Sequence, residues 1–334
     1  MDSNPPVSVI VAAAAAERNL PDALAAIHGQ DYTGEIEVVV AAADAATARA
    51  AEEHGVVVID NPSGHTPVGL NLAAKASSGE VLARVDAHSV IPPDYIRRIV
   101  ETLHSSDADN VGGMQVPTGT TFMGKAIAAA MSSRFGAGDA KYRIGGEPGP
   151  ADTVYLGAFR RTVLDRIGGY DERFLRNQDY ELNHRIRMSG GTVWFDPEIE
   201  VAYRPRSSLT DLSRQYFQYG RWKRFFARSH DWSLRPRQWA PPLVVLALTA
   251  SLIASIWWGW LLLLPGLYLL ELVAVGLTSL PRVGAPALVM PVALAVMHIS
   301  WGLGFLLGGL SRESGRVFRR ARGAARKDAG RRRT

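Results

Sequence analysis

Asp86 and His88 stand two residues apart in Arg84-Val85-Asp86-Ala87-His88-Ser89, directly after an apolar, strand-like run. A strand ending there delivers a carboxylate and an imidazole together to the carboxyl edge of a sheet, where the ligands of open α/β sheets collect. Mg2+ and Mn2+ favour oxygen ligands, and Mn2+ also accepts imidazole. A divalent cation held by Asp86 and His88 would grip a diphosphate and neutralise charge on a departing nucleoside diphosphate. The pair therefore points toward nucleotide-sugar chemistry. On spacing alone it also reads as an Asp capping a turn beside a surface imidazole, so its context has to decide.

Two further groups supply that context. In Asn177-Gln178-Asp179-Tyr180-Glu181-Leu182-Asn183, Asp179 and Asn183 lie four apart and share a face on a helix. A carboxylate near a helix start can take the proton of an acceptor hydroxyl. It can also simply complement the helix dipole. In Arg214-Gln215-Tyr216-Phe217-Gln218-Tyr219-Gly220-Arg221-Trp222-Lys223, basic and aromatic residues interleave just before a long apolar region. One reading is a lid or acceptor wall in which Trp222 stacks on a sugar and Arg221 meets phosphate. The other is an amphipathic helix snorkelling into lipid headgroups.

The elements that must position these residues follow from periodicity. Apolar β-branched runs at residues 7–11, 36–40, 56–59 and 81–85 predict four strands. Segments 20–28, 47–54 and 67–76 between them predict helices. Such alternation implies a parallel, doubly wound α/β sheet covered on both faces. Beyond Asp86 a helix is expected at 95–104, a strand at 112–116, and a helix followed by a flexible loop across 122–152. A strand at 153–159, helices at 161–167 and 178–189, and two short strands at 193–195 and 199–203 complete the domain. The loop across 122–152 is the expected seat of acceptor choice, because loops on a rigid scaffold carry specificity.

The 334 residues allow a domain of roughly 230 residues plus an appendage. There is no cysteine, which excludes disulfide and thiolate chemistry. The net charge of +5 is uneven: Arg and Lys crowd residues 214–237 and 312–333. Between them, from 240 to 310, only Glu271 and Arg282 are charged. This predicts membrane segments with cationic anchors that meet anionic lipids. Nucleic-acid binding through the tail is disfavoured for the same reason. Residues 1–6 lack a basic and long apolar start, so no signal peptide is expected. The expected division is a domain over 1–230, a membrane region over 231–310 and a basic tail over 311–334. The membrane region has room for two to four spans, three being preferred, with a turn near Trp257-Trp258-Gly259-Trp260. Pro286, Pro291 and Gly302, Gly304, Gly308 and Gly309 allow a kinked or re-entrant third segment. Three spans put the tail opposite the first domain, whereas the positive-inside rule asks for an even number. The cytoplasmic placement of the first domain is the firmer expectation.

The ordered set of motifs resembles glycosyltransferase family 2, with its GT-A fold. Asp86-Ala87-His88 looks like that family's DxD motif, Gln178-Asp179 like its ED motif, and Gln218 to Trp222 like its QxxRW pattern. The likeness is closer still to membrane glycosyltransferases of the succinoglycan-biosynthesis type from bacteria. It rests on Asp60-Asn61-Pro62, Gly69-Leu70-Asn71, Phe135-Gly136-Ala137-Gly138, Asp152-Thr153-Val154, Gly168-Gly169-Tyr170-Asp171-Glu172 and Tyr203-Arg204-Pro205-Arg206. It covers about residues 5–230. The resemblance implies an inverting hexosyl transfer from a nucleoside-diphosphate sugar, a UDP-sugar being expected, with Mn2+ or Mg2+. It implies a lipid-linked or glycan acceptor and a cell inner membrane location. It makes Asp179 the catalytic base and Asp86 and His88 the metal ligands. Glu17, Asp44, Asn61, Asn71, Arg84 and Asp86 fall on the donor side. Gln218, Arg221, Trp222, Glu181 and Asn183 fall on the acceptor or lid side.

Three departures stand out. The Pro-x-Asn-Glu loop usual after the first strand reads Ala12-Ala13-Ala14-Ala15-Ala16-Glu17-Arg18-Asn19. The second strand ends in Ala41-Ala42-Ala43-Asp44 rather than directly on an Asp. Gln178 stands where the family has Glu. These alanines remove polar contacts to a donor nucleotide. Two other readings share the fold: a polyprenyl-phosphate sugar synthase, and a membrane scaffold with impaired catalysis.

Overall fold

The computed structural model describes residues 4–14 and 19–308, and Glu17 lies outside them, as does the basic tail. The chain forms two compact units, Met1–Val116 with Ala140–Tyr203, and Pro117–Asp139 with Arg204–Thr334.

The first unit opens with β1 (Val7–Ala13), α1 (Leu20–His28), β2 (Ile36–Ala42), α2 (Ala45–Glu52), β3 (Val57–Asp60), α3 (Thr66–Ala76) and β4 (Val81–Arg84). These strands pair in parallel, with Val7 opposite Ile36 and Ala13 opposite Ala42, and with Val7 to Ile10 alongside Val81 to Arg84. Alternate residues of one strand face opposite sides of a sheet. Accordingly Val7, Val9 and Val11 pack on one face with Leu24 and Ile27 of α1. Ile10, Val39 and Leu82 pack on the other with Leu70 and Ala73 of α3. The unbroken apolar runs are thus the two-sided burial they implied.

Past β4 come α4 (Tyr95–Ser106) and β5 (Asn110–Pro117). After residues of the second unit, α5 (Phe122–Met131) and α6 (Arg134–Ala137), the chain returns as α7 (Lys141–Ile144), β6 (Gly149–Pro150) and β7 (Tyr155–Arg160). Then follow α8 (Arg161–Ile167), α9 (Gln178–Met188) and β8 (Val193–Tyr203). The sheet order is β3-β2-β1-β4-β7-β5-β8-β6. β7 runs antiparallel to β4 and to β5, so the sheet is mixed. Strand periodicity carries no direction, which is why the antiparallel half was invisible in the pattern.

Two expected strands are one. β8 continues through Asp196-Pro197-Glu198, where a break was expected. A proline is tolerated where no ladder bond is needed. β6 meets β8 at Phe195 and Trp194 and extends no further, so Pro197 lies beyond that pairing.

The second unit adds α10 (Leu209–Ser229), α11 (Pro236–Ala254), α12 (Leu263–Val283) and α13 (Met290–Leu307), with 3-10 turns at Gly259–Leu262 and Ala285–Leu288. Three segments are long and apolar enough to cross a membrane: Pro236–Ala254, Gly259–Val283 and Met290–Leu307. Pro286 lies in a 3-10 turn and Pro291 in the first turn of α13. The prolines expected to kink the third segment therefore stand before it and in its first turn, where proline costs no helical hydrogen bond. Glycines instead let backbones touch. A Cβ on Gly304 would lie 2.1 Å from the Phe217 carbonyl oxygen, and one on Gly220 would lie 2.0 Å from that of Trp301. These two contacts seat α10 against α13 as small residues do between membrane helices.

Candidate active site

β4 ends on Arg84, and the backbone then leaves the sheet in a turn closed by Ser89 N–H donating to the Asp86 carbonyl at 2.9 Å. Arg84 is only 5% exposed. Its Nε and Nη2 donate to Asp86 Oδ1 at 2.9 and 2.7 Å, and its Nη1 donates to Asp179 Oδ1. One guanidinium therefore joins residues 86 and 179, which lie in distant parts of the chain. Burial works against the Arg84 charge, but Asp86 beside it holds its pKa above the ordinary arginine value. Burial likewise pushes the Asp86 carboxyl up, and Arg84 and His88 outweigh it, so that Asp86 stays below the usual carboxylate range.

Asp179 reaches this position from the first turn of α9. Asn177 precedes that helix in the left-handed region, with φ of 60°. The segment leading to it is pinned from α3. Asn71 Oδ1 accepts from Tyr170 N–H at 2.8 Å while its Nδ2 donates to the Tyr170 carbonyl at 2.9 Å. Gly169 has φ of +72° beneath this clamp, and a Cβ there would lie 2.7 Å from Asn71 Oδ1. A left-handed φ with no room for a side chain requires glycine.

Three tyrosines wall the ion-paired centre. Tyr95 is fully buried and donates to the Leu156 carbonyl at 2.7 Å. Leu156 itself has φ of 46°, next to the register shift of β7 against β5. The Tyr155 hydroxyl lies 3.2 Å from Ser89 Oγ. Tyr170 is pushed up to about 12 by burial, with Arg84 opposing and Asp86 adding to the shift. Its hydroxyl is buried without a hydrogen-bond partner among the described residues. An orphaned hydroxyl beside ion-paired carboxylates is unusual in a plain core. These tyrosines were missed from sequence; only Tyr170 left a signal, inside Gly168-Gly169-Tyr170-Asp171-Glu172.

The remaining expected residues separate. His88 is exposed on the turn after Asp86. Asp44 caps α2, accepting from the Ala46 and Thr47 amides at 3.1 and 2.9 Å and from the Thr47 hydroxyl at 2.8 Å. Asn61 is buried and shapes the turn into α3, taking Ser63 Oγ at 2.7 Å and donating to the His65 carbonyl at 3.2 Å. Glu181 and Asn183, expected on the acceptor side, are enclosed instead. Glu181 pairs through both oxygens with Arg185, at 2.7 and 2.8 Å, and Arg185 also holds the Ile167 and Gly169 carbonyls. Asn183 accepts from Asn110 at 2.5 Å and donates to Thr153 at 2.9 Å. α9 turns Glu181 and Asn183 inward and leaves Asp179, at 44% side-chain exposure, toward solvent. Gln218, Arg221 and Trp222 belong to α10 of the second unit, half-buried, with Trp222 edge-on to Phe225 at 5.5 Å.

The polar set fits a nucleotide-bound cation better than a protein-only cage. No group of three His, Cys, Asp or Glu side chains converges among the described residues. Asp86 Oδ1 is taken by Arg84, but Oδ2 meets no donor among the described residues, and His88 is near enough to help hold the Asp86 pKa down. Mg2+ and Mn2+ in phosphate-transferring sites take one or two protein ligands and fill the rest with phosphate and water. Asp86 Oδ2 and His88 match that half-shell.

Comparison with known proteins accords with this geometry. Residues 5–223 match the family described as glycosyltransferase like family 2. Over 260 residues the chain is 30% identical to the succinoglycan biosynthesis protein ExoA of Rhizobium meliloti (strain 1021), covering 77% of this chain and 78% of that protein. The fold is similar to that of the mannosyltransferase PcManGT from Pyrobaculum calidifontis, solved with GDP-Man and Mn2+. The TM-score is 0.58 at 18% identity, over 91% of this chain and 87% of that one. The chain is a glycosyltransferase and belongs to glycosyltransferase family 2.

Proposed function

We propose that the protein transfers a sugar, with inversion, from a nucleoside-diphosphate sugar to a hydroxyl of a lipid-linked glycan during cell-envelope or exopolysaccharide assembly. The observation that carries this reading is the junction of Asp86 and Asp179 through Arg84 at the carboxyl end of β4. It sets a donor-side carboxylate beside a solvent-facing carboxylate that can accept a proton. The name of the Rhizobium relative supports a polysaccharide product. The GDP-Man and Mn2+ of the Pyrobaculum structure support a nucleotide-sugar donor with a divalent cation. The three apolar helices support an acceptor carried on lipid; the proposed location is the inner membrane, with the first unit on the cytoplasmic side.

In this mechanism the donor lies over the carboxyl ends of β1 to β4. Asp86 and His88 would hold a Mn2+ or Mg2+ ion, which when bound supplies charge stabilisation for the departing diphosphate. Asp179 takes the proton of the acceptor hydroxyl as that oxygen attacks the anomeric carbon from the face opposite the leaving group. A UDP-sugar remains the proposed donor.

The test is Asp179→Asn in the full chain purified in detergent, assayed with radiolabelled nucleotide sugars and lipid extraction of the product. Loss of a general base should lower kcat by at least about 100-fold. Transfer at the parental rate would overturn the assignment and favour a phosphate acceptor, which needs no base. Because His88 softens the metal shell, Mn2+ should support faster turnover than Mg2+ at equal concentration; the reverse order removes His88 from the shell.

A further inference from the structure

The same guanidinium has a second property. Arg84 is almost wholly buried, and among the described residues its three hydrogen bonds run to two carboxylates, two to Asp86 and one to Asp179. Among the described residues Asp179 meets no other side-chain partner: it is on the first turn of α9, 44% exposed, after an αL residue. A half-exposed carboxylate otherwise samples several rotamers. The fork of a guanidinium is rigid and planar, so two of its nitrogens bound to Asp86 dictate where the third points. Asp86 in turn is fixed by the end of β4, which is hydrogen-bonded to β1 within the sheet.

We propose that Arg84 is a positioning residue for the base: it transmits the rigid placement of Asp86 to the Asp179 carboxylate, and serves as a built-in counter-cation for the pair when no divalent ion is bound. This rests on Asp179 being the base. It predicts that Arg84 acts on turnover through Asp179 rather than by binding donor. It also predicts that Arg84 and a divalent cation compete for the negative charge of Asp86.

The experiment is a double-mutant cycle in the full chain, with Mn2+ binding measured on the donor-free protein. Arg84→Gln should lower kcat by about 100-fold while donor KM stays within about threefold. In the Asp179→Asn background the same change should lower the residual rate by less than about threefold, because residues acting as one unit are not additive. Arg84→Lys keeps the charge but not the fork, so it should fold as the parent does and still lose at least about tenfold in kcat. Electron paramagnetic resonance of free Mn2+ should show the donor-free Arg84→Gln protein binding the ion at least about tenfold more tightly than the parent, since a unit positive charge has been removed beside the ligand. Equal losses from Arg84→Gln in both backgrounds, parental kcat in Arg84→Lys, a KM that rises in step with the kcat loss, or unchanged Mn2+ affinity would each overturn the proposal. Asp179→Asn at the parental rate instead sinks the base assignment beneath it, whatever the Mn2+ result.

Discussion

At the scale of single residues, the sheet's amino end shows how a charged group is made useful to stability. Glu37 at the start of β2 accepts from Ser8 Oγ at 2.6 Å and from the Ser78 amide at 2.8 Å, and Ser8 Oγ accepts in turn from Gly79 N–H at 2.7 Å. Burial pushes the Glu37 carboxyl up, but the Ser8 and Ser78 bonds outweigh it and its pKa lies below the ordinary value of 4.5. A depressed carboxyl contributes stability above its unfolded-state pKa and loses it as pH falls through the folded one. Glu37→Gln should therefore cost about 1–2 kcal/mol at pH 7, and the two unfolding curves should converge below pH 4.5; a gap that widens toward acid would refute the sign. Ala12 and Ala41, near the ends of β1 and β2, also have a local reason. A Cβ on Gly69 would lie 2.9 Å from Ala12 Cβ and 3.3 Å from Ala41 Cβ. α3 thus sits so close to β1 and β2 that larger side chains at Ala12 or Ala41 would push it away. Spacing had singled out Asp86 and Asp179; it gave no hint that Arg84 joins them, because a contact across 95 positions leaves no periodic trace.

At the scale of elements, pattern and structure agree where burial is one-sided or complete. α1 and α8 fall on the expected residues, and β1 to β4 match within a residue or two. Disagreement gathers where backbone chemistry competes with pattern, as at Pro197 inside β8. α9 is the instructive case. Asp179 and Asn183 share a face by spacing, yet one is open and the other bonds to Asn110 and Thr153. A helix that starts at a sheet edge and dives beneath it changes environment within one turn. The α10–α13 seam makes a direct prediction. Gly304→Val places side-chain carbons against the Phe217 carbonyl, where a Cβ already lies at 2.1 Å. Overpacking should cost about 1–3 kcal/mol, read as a lower Tm of the detergent-solubilised protein. A Tm equal to the parent would mean that the helices can part there without cost.

At the scale of the whole molecule, two features combine: a mixed sheet that gathers its carboxylates at one edge, and three helices that can cross a membrane. The absence of cysteine gives a clean way to test their direction. With the first unit cytoplasmic and three spans, Ser255→Cys after α11 should react with a membrane-impermeant maleimide in intact spheroplasts devoid of outer envelope. Ala285→Cys after α12 should react only after lysis. Labelling of both from one side would reduce the crossings. Residue type and spacing were enough to name the family, the strand–helix alternation, the apolar spans and the two carboxylates, because each depends on local periodicity or on short motifs. Three things needed the folded chain: the antiparallel half of the sheet, the inward turn of Glu181 and Asn183, and the guanidinium that binds Asp86 to Asp179. Each depends on which distant segments pack together. The hydrophobic pattern specifies which faces are buried, but not which distant partners meet behind them.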